Sequence, residues 1–164
     1  MARSDFLDLD CLAYATRRTG RAVTNFFNAR MAGLDLNVAQ FGLLAAVAKM
    51  PGATLAAIGE AMLLEESTMA RNFTVMEKRG LVSAEGGRGR AGKQVRLTRA
   101  GEKLFAQAAS TWREANRALA ARLDAKQLAE GRAFMRALGE ISEALKAEEA
   151  AAEAASRRRT RETA

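Results

Sequence analysis

Ser67, Arg71, Thr74 and Lys78 recur at three- and four-residue spacing, so on a helix they share one face, with Thr68 and Val75 flanking it. Met69, Phe73 and Met76 fall at i, i+4 and i+7 on the other side and predict a buried stripe for a helix over about Glu66 to Arg79. Short hydroxyls near a helix N-terminus hold phosphate oxygens, and a guanidinium can fork onto the acceptors of guanine. The outward face therefore carries the chemistry of a nucleic-acid contact. Taken alone, the same pattern also describes the solvated side of an ordinary amphipathic helix.

The elements around that helix weigh against the plainer reading. Upstream, Thr54 is placed to cap a short helix, Leu55 to Met62, so two helices meet across a tight turn. Downstream, Gly80 ends the helix, and Leu81 to Glu85 and Gln94 to Leu97 read as two strands. Between them runs Gly86-Gly87-Arg88-Gly89-Arg90-Ala91-Gly92-Lys93, and from Gly86 to Gly101 there are five cations and no carboxylate. A helix-turn-helix followed by a hairpin with a cationic tip is a winged helix. In that arrangement the second helix enters a major groove while Arg88, Arg90 and Lys93 reach the backbone or minor groove.

The same glycine-rich stretch matches two phosphate-loop patterns, Gly87-x-Gly89-x-x-Gly92 and a near P-loop ending in Gly92-Lys93. Both need a strand before the loop and a helix after it, so that phosphate meets a helix N-terminus. A strand follows here, and Gln94 cannot supply the hydroxyl that binds Mg²⁺. Hairpin glycines with positive φ are the better account.

Composition removes most enzyme classes. The 164 residues contain no His and one Cys, which excludes Ser-His-Asp and Cys-His nucleophile systems, imidazole metal sites and zinc ribbons. No cofactor is expected, and the protein is read as not an enzyme. With 26 Lys+Arg against 19 Asp+Glu the net charge is +7, which favours a polyanionic partner. An anionic membrane surface and a nucleotide are the competing partners of another class. No apolar run approaches the roughly 20 residues of a membrane span, and no signal core is evident, so a cytoplasmic, nucleoid-associated location is expected without membrane insertion.

The remaining chain is alanine-rich with a single proline, Pro51, and predicts long helices. A first helix is expected from about Asp5 to Met31, Asn37 caps the next over Val38 to Met50, and Thr98 opens one to about Leu123. Asp124 restarts the chain with a box-like Asp-x-x-Gln, and Phe134, Leu138, Ile141 and Leu145 form a long stripe on the last helix. That stripe needs a partner: the first helix, with Phe6 and Leu7, and the same region of a second copy. The fold class is thus mainly α with a small β-hairpin wing. Residues 5–36 and 98–155 form a helical dimerisation region, 37–97 a winged helix-turn-helix, and 156–164 a disordered basic tail.

Over roughly residues 11 to 145 the chain resembles the MarR family of transcriptional regulators. The resemblance is carried by Arg21-Ala22-Val23-Thr24, Leu55 to Met62, Glu65 to Asn72, Glu77-Lys78-Arg79-Gly80-Leu81-Val82, and Val95-Arg96-Leu97-Thr98-x-x-Gly101. It implies a homodimer on a pseudo-palindromic double-stranded DNA operator, usually a repressor, released by a small and often aromatic effector. Ser67, Thr68, Arg71 and Asn72 match the family's recognition-helix contacts, and Arg88 and Arg90 its wing arginines. Glu66 stands where the family commonly has Arg, and would repel phosphate unless it pairs with an Arg or accepts from cytosine N4.

Candidate effector-binding groups are Arg17, Thr24, Asn28 and Gln40. A thiol switch at Cys11 is the alternative. In the hydroperoxide-sensing branch the cysteine stands where this chain has Ala13, and Tyr14 is the only tyrosine, so a buried structural Cys11 is the expectation.

Overall fold

The structure, a computed structural model, describes residues 10–87 and 92–162. In chain order it has α1 (Leu12–Met31), a 3-10 turn (Ala32–Leu34), α2 (Val38–Lys49), α3 (Leu55–Ala61) and α4 (Glu66–Lys78). There follow β1 (Val82–Glu85), β2 (Gln94–Leu97), α5 (Arg99–Ala120) and α6 (Ala125–Glu162). Its contacts divide the chain into two units, residues 1–116 and 117–164.

Local chemistry sets most boundaries in the first unit. Asn37 accepts from the Gln40 amide at 2.9 Å while Gln40 Oε1 accepts from the Asn37 amide at 3.1 Å, a capping box that starts α2. Thr54 accepts from the Ala57 amide at 3.2 Å and starts α3. At the far end of α4, Gly80 adopts φ +67° and the Leu81 amide donates back to Met76 O at 3.0 Å, closing the helix with a left-handed residue. Arg79 then donates to Asp35 O at 2.7 Å and pairs with its carboxylate at 3.2 Å, tying the end of α4 to the turn before α2.

The core of this unit gathers one stripe from each helix. Leu43, Leu44 and Val47 of α2, Leu55 and Ile58 of α3, Met69, Phe73 and Met76 of α4, and Val95 of β2 are buried together. Phe73 is 1% exposed; truncating such a phenylalanine to alanine costs about 3–5 kcal/mol. Beside this core, rings from three helices stack in sequence: Phe27 on Trp112 (4.1 Å between centroids), Trp112 on Phe41 (4.7 Å) and Phe41 on Phe105 (5.9 Å).

β1 and β2 pair antiparallel with Val82 opposite Leu97 and Glu85 opposite Gln94. A third short segment joins them. Thr54 bridges Gln94, the Val95 amide donates to Ala53 O at 2.9 Å, and the Leu55 amide donates to Lys93 O at 3.3 Å. The hairpin is thereby bonded to the start of α3, which the two-strand expectation did not include. The Thr98-x-x-Gly101 segment has a matching role. Thr98 donates to Gly80 O at 2.6 Å and accepts from the Gly101 amide at 3.1 Å. A Cβ on Gly101 would collide with Leu81 O. Only glycine lets α5 start against that corner.

In the second unit, Asp124 and Gln127 form the expected reciprocal cap, at 2.7 and 3.0 Å, and start α6. Phe134, Ile141 and Leu145 are exposed along it, as is Met135, while Leu138 is half-buried.

Three expectations need correction. Among the described residues helix α1 begins at Leu12, with Cys11 as its N-cap, so Asp10 and Cys11 are not part of it; residues 1–9, Phe6 and Leu7 among them, lie outside the described residues. Helix α5 ends at Ala120 rather than Leu123. The tail read as disordered from residue 156 is helical through Glu162. Alanine-rich sequence has high intrinsic helix propensity, and Glu153 pairs with Arg157 one turn later at 3.8 Å.

Candidate nucleic-acid interface

Helix α4 is held from behind and open in front. Its buried side is Met69, Phe73 and Met76. Gly59 of α3 faces Met69, where a Cβ would sit at ordinary contact distance, 3.6 Å from Met69 Cγ. On the opposite side Ser67, Arg71 and Lys78 are exposed and Thr74 is half-buried, with exposed Thr68 flanking them, whereas half-buried Asn72 lies beside Met76 at the edge of the buried stripe. Ser67, Thr68, Arg71, Asn72 and Thr74, the DNA-contact candidates of this segment, all stand on the one helix. Thr74 is partly committed, because its hydroxyl donates to Ala70 O at 2.7 Å and that proton is used within the helix.

The N-terminus of α4 differs from its neighbours. Side chains cap α2 and α3, at Asn37 and Thr54, whereas Glu65, the N-cap of α4, makes no capping hydrogen bond. The first-turn amides of α4 are therefore free of a side-chain acceptor, and such amides together with the helix dipole attract anions. Glu66 is exposed and forms no ion pair among the described residues, so the pairing with Arg that would have neutralised it is not seen there.

The turn leading into this helix is strained. Leu63 has φ +51° and is 72% exposed. A left-handed conformation costs a non-glycine residue roughly 1–2 kcal/mol.

In the hairpin, Gly86 and Gly87 adopt φ +66° and +71°, and a Cβ on Gly87 would collide with Gly92 O, so the arms close where glycines stand. Lys93 is exposed beside this crossing. Arg88 and Arg90 lie outside the described residues. Strand β2, not a helix, follows the glycine-rich loop, so the arrangement that both nucleotide-loop patterns require is not formed.

The effector candidates fare differently. Asn28 Oδ1 accepts from the Val38 amide at 2.8 Å, and Gln40 Oε1 is used in the capping box. Both are structural hydrogen-bond partners at the start of α2. Arg17 and Thr24 are exposed on α1. None of the four lines the crevice of about 370 Å³ that opens among α2, β2 and α5, where Val47, Pro51, Arg96, Leu97, Glu102 and Phe105 form the walls. No spacing pattern points to this crevice, because its residues come from three separate elements. Cys11 is half-buried at the start of α1 rather than enclosed in a core.

Val75 flanks the outward face in the helical spacing and is not among the expected contact residues. It is 41% exposed and shares the outward side of α4 with Arg71. No single helix among the described residues is long and apolar enough to cross a membrane.

Residues 34–91 match the sequence model of the MarR family. No curated protein matches the chain by sequence. Among solved structures, the Mycobacterium tuberculosis transcriptional regulator MosR, in complex with DNA, is 27% identical with a TM-score of 0.71, covering 82% of this chain and 97% of MosR. A mutant of Escherichia coli MarR complexed with operator DNA has a TM-score of 0.73 at 17% identity, covering 82% and 97%. The PcaV regulator from Streptomyces coelicolor, complexed with its natural ligand, has a TM-score of 0.70 at 21% identity, covering 85% and 98%. The helix pair, the hairpin bonded to it and these likenesses lead to one conclusion: residues 34–91 are a MarR-family segment, set in a chain with the fold of MarR-family transcriptional regulators.

Proposed function

We propose that the protein is a homodimeric, ligand-responsive repressor that reads a pseudo-palindromic operator with α4 and holds the backbone with its wing. One observation carries this reading. The helix whose buried side is fixed by Met69, Phe73 and Met76 turns Ser67, Thr68 and Arg71 outward together, beside amides that lack a side-chain cap. Ser67, Thr68 and those amides hold phosphate, which sets register. Arg71 and Asn72 read base edges, Arg71 by a two-pronged contact to guanine. Arg88, Arg90 and Lys93 supply sequence-independent attraction.

Two copies must present their α4 helices about 34–36 Å apart to occupy successive major grooves. The exposed stripe Phe134, Ile141 and Leu145 on α6, together with half-buried Leu138, is the surface through which a second copy is recruited. An effector that favours a different spacing releases DNA, and a coupling of about 1–3 kcal/mol changes affinity roughly 5- to 150-fold. The Arg96 cation and Phe105 ring in the 370 Å³ crevice suit a small aromatic acid.

The test is a gel shift with the full-length protein on DNA upstream of its own and adjacent genes, beside a vesicle-binding assay with anionic lipid. Retention of one upstream fragment against excess random duplex supports operator binding. Equal retention of all duplexes, or binding to vesicles instead, overturns it. A thermal-shift series with small aromatic acids, repeated on Arg96→Met, tests the crevice: a shift that survives the substitution assigns the effector elsewhere.

A further inference from the structure

Val75 is the only large aliphatic side chain exposed on α4 among the described residues. At about 100° per residue it lies about 40° around the helix from Arg71 and about 20° from Thr68. It therefore continues the row formed by those two residues, one turn beyond Arg71. Its surroundings on that face are polar: Arg71 before it and Lys78 three residues after it, both exposed. The neighbouring Thr74 has its hydroxyl proton bonded to Ala70 O at 2.7 Å, so that side chain too offers no free proton outward.

Nothing in the isolated protein accounts for a β-branched apolar residue there. It has lower helix propensity than the Lys, Arg or Glu that suit an exposed helical position, and it leaves apolar surface in water. The floor of the major groove offers one apolar group for such a side chain to cover, the C5-methyl of thymine. We propose that Val75 packs on a thymine methyl in each half-site and so selects a T·A pair one turn along the groove from the base that Arg71 reads. This inference rests on the reading of α4 as the groove-entering helix.

The contact is small and chemically specific, so it is tested by removing either methyl-bearing partner. A duplex is first selected from a random library by the full-length wild-type protein. Each thymine in it is then replaced in turn by deoxyuridine, which deletes only the methyl, and binding is followed by fluorescence anisotropy for wild type and Val75→Ala. The wild type is expected to lose about fourfold in affinity at one symmetry-related pair of positions, the ratio given by about 0.8 kcal/mol for one buried methylene-sized group. Val75→Ala, which removes the contact from both half-sites at once, binds the thymine duplex about fifteenfold more weakly and is indifferent to uracil at those positions. Val75→Thr, which keeps one methyl, retains part of the discrimination. Because Val75 is exposed and alanine is the better helix former, the variant's unfolding curve should match the wild type. A wild type with no methyl-sensitive position, or a sensitivity that persists unchanged in Val75→Ala, overturns the proposal while leaving operator reading intact. A wild type that enriches no sequence overturns the groove-reading role of α4 itself, and this contact with it.

Discussion

Arg71→Ala separates base reading from charge attraction. Arg71 is exposed and makes no ion pair among the described residues, and alanine favours the helix, so folding stability should change by less than about 0.5 kcal/mol. The loss then falls on DNA. A two-pronged guanine contact discriminates by about 1–3 kcal/mol, and a dimer carries two such arginines on well-separated half-sites, giving roughly 2–6 kcal/mol in all. At about 1.4 kcal/mol per decade, affinity for a selected operator should fall by roughly thirtyfold to four orders of magnitude. Random duplex, which offers no matched guanine, should lose far less. The assay is anisotropy on operator and random duplexes at several salt concentrations. If both duplexes weaken by the same factor, and the slope of log K against log salt drops by roughly two units, Arg71 is a phosphate clamp. Base reading would then have to be reassigned to Asn72 and its neighbours.

Three further outcomes are expected. Glu66→Gln should tighten binding to every duplex by roughly two- to fivefold, as expected for removing about 0.5–1 kcal/mol of repulsion from nearby phosphate. Weakening confined to duplexes with one particular cytosine would show instead that the carboxylate accepts from that base's N4. Leu63→Gly should stabilise the fold by about 0.5–1 kcal/mol, the left-handed penalty less the entropy glycine loses on folding, and raise Tm by about 1–4 °C. An unchanged or lower Tm in a thermal scan would show that the turn is not strained as its φ of +51° implies. Ile141→Asp, at a position 57% exposed, should leave the chain folded by circular dichroism and convert a dimer to a monomer in light scattering. A dimer that persists through that change is held by other residues.

Periodicity made the reading helix legible. Met69, Phe73 and Met76 define its inner side by spacing alone, and the burial of all three fixes which residues turn outward. Caps were legible for the same local reason: Asn37 with Gln40, and Asp124 with Gln127, are three residues apart. What depends on distant pairing was not legible. Asn28 looked like a free polar group on α1 because its partner, the Val38 amide, is ten residues away and beyond a turn. The bridge from Thr54 to Gln94 joins segments forty residues apart, too short to carry an alternating pattern. The Ala/Glu-rich end of the chain with its run of arginines looks alike whether helical or disordered, and alanine propensity with the Glu153–Arg157 pair favours helix without burial.

The backbone pairing between the hairpin and the start of α3 bears on how the reader can respond to a signal. Bonds from Val95 to Ala53 and from Leu55 to Lys93 fasten β2 to the helix pair, while Thr98 and Gly101 fasten α5 to the corner at Gly80 and Leu81. Moving the wing alone would break the two backbone hydrogen bonds that fasten β2, at about 1–3 kcal/mol for each polar group left unsatisfied. That exceeds the typical allosteric coupling of about 1–3 kcal/mol once two such bonds are lost. Hairpin, α3 and α4 therefore shift as one body. The stacked rings Phe27, Trp112, Phe41 and Phe105 run from α1 through α2 and α5 to the wall of the Arg96 crevice, and densely packed rings transmit a displacement rather than absorb it. In the proposed ligand-responsive dimer, a small molecule wedged at Phe105 would thus act by reorienting the whole reader against α1, changing the distance between two α4 helices without altering the face that either one presents.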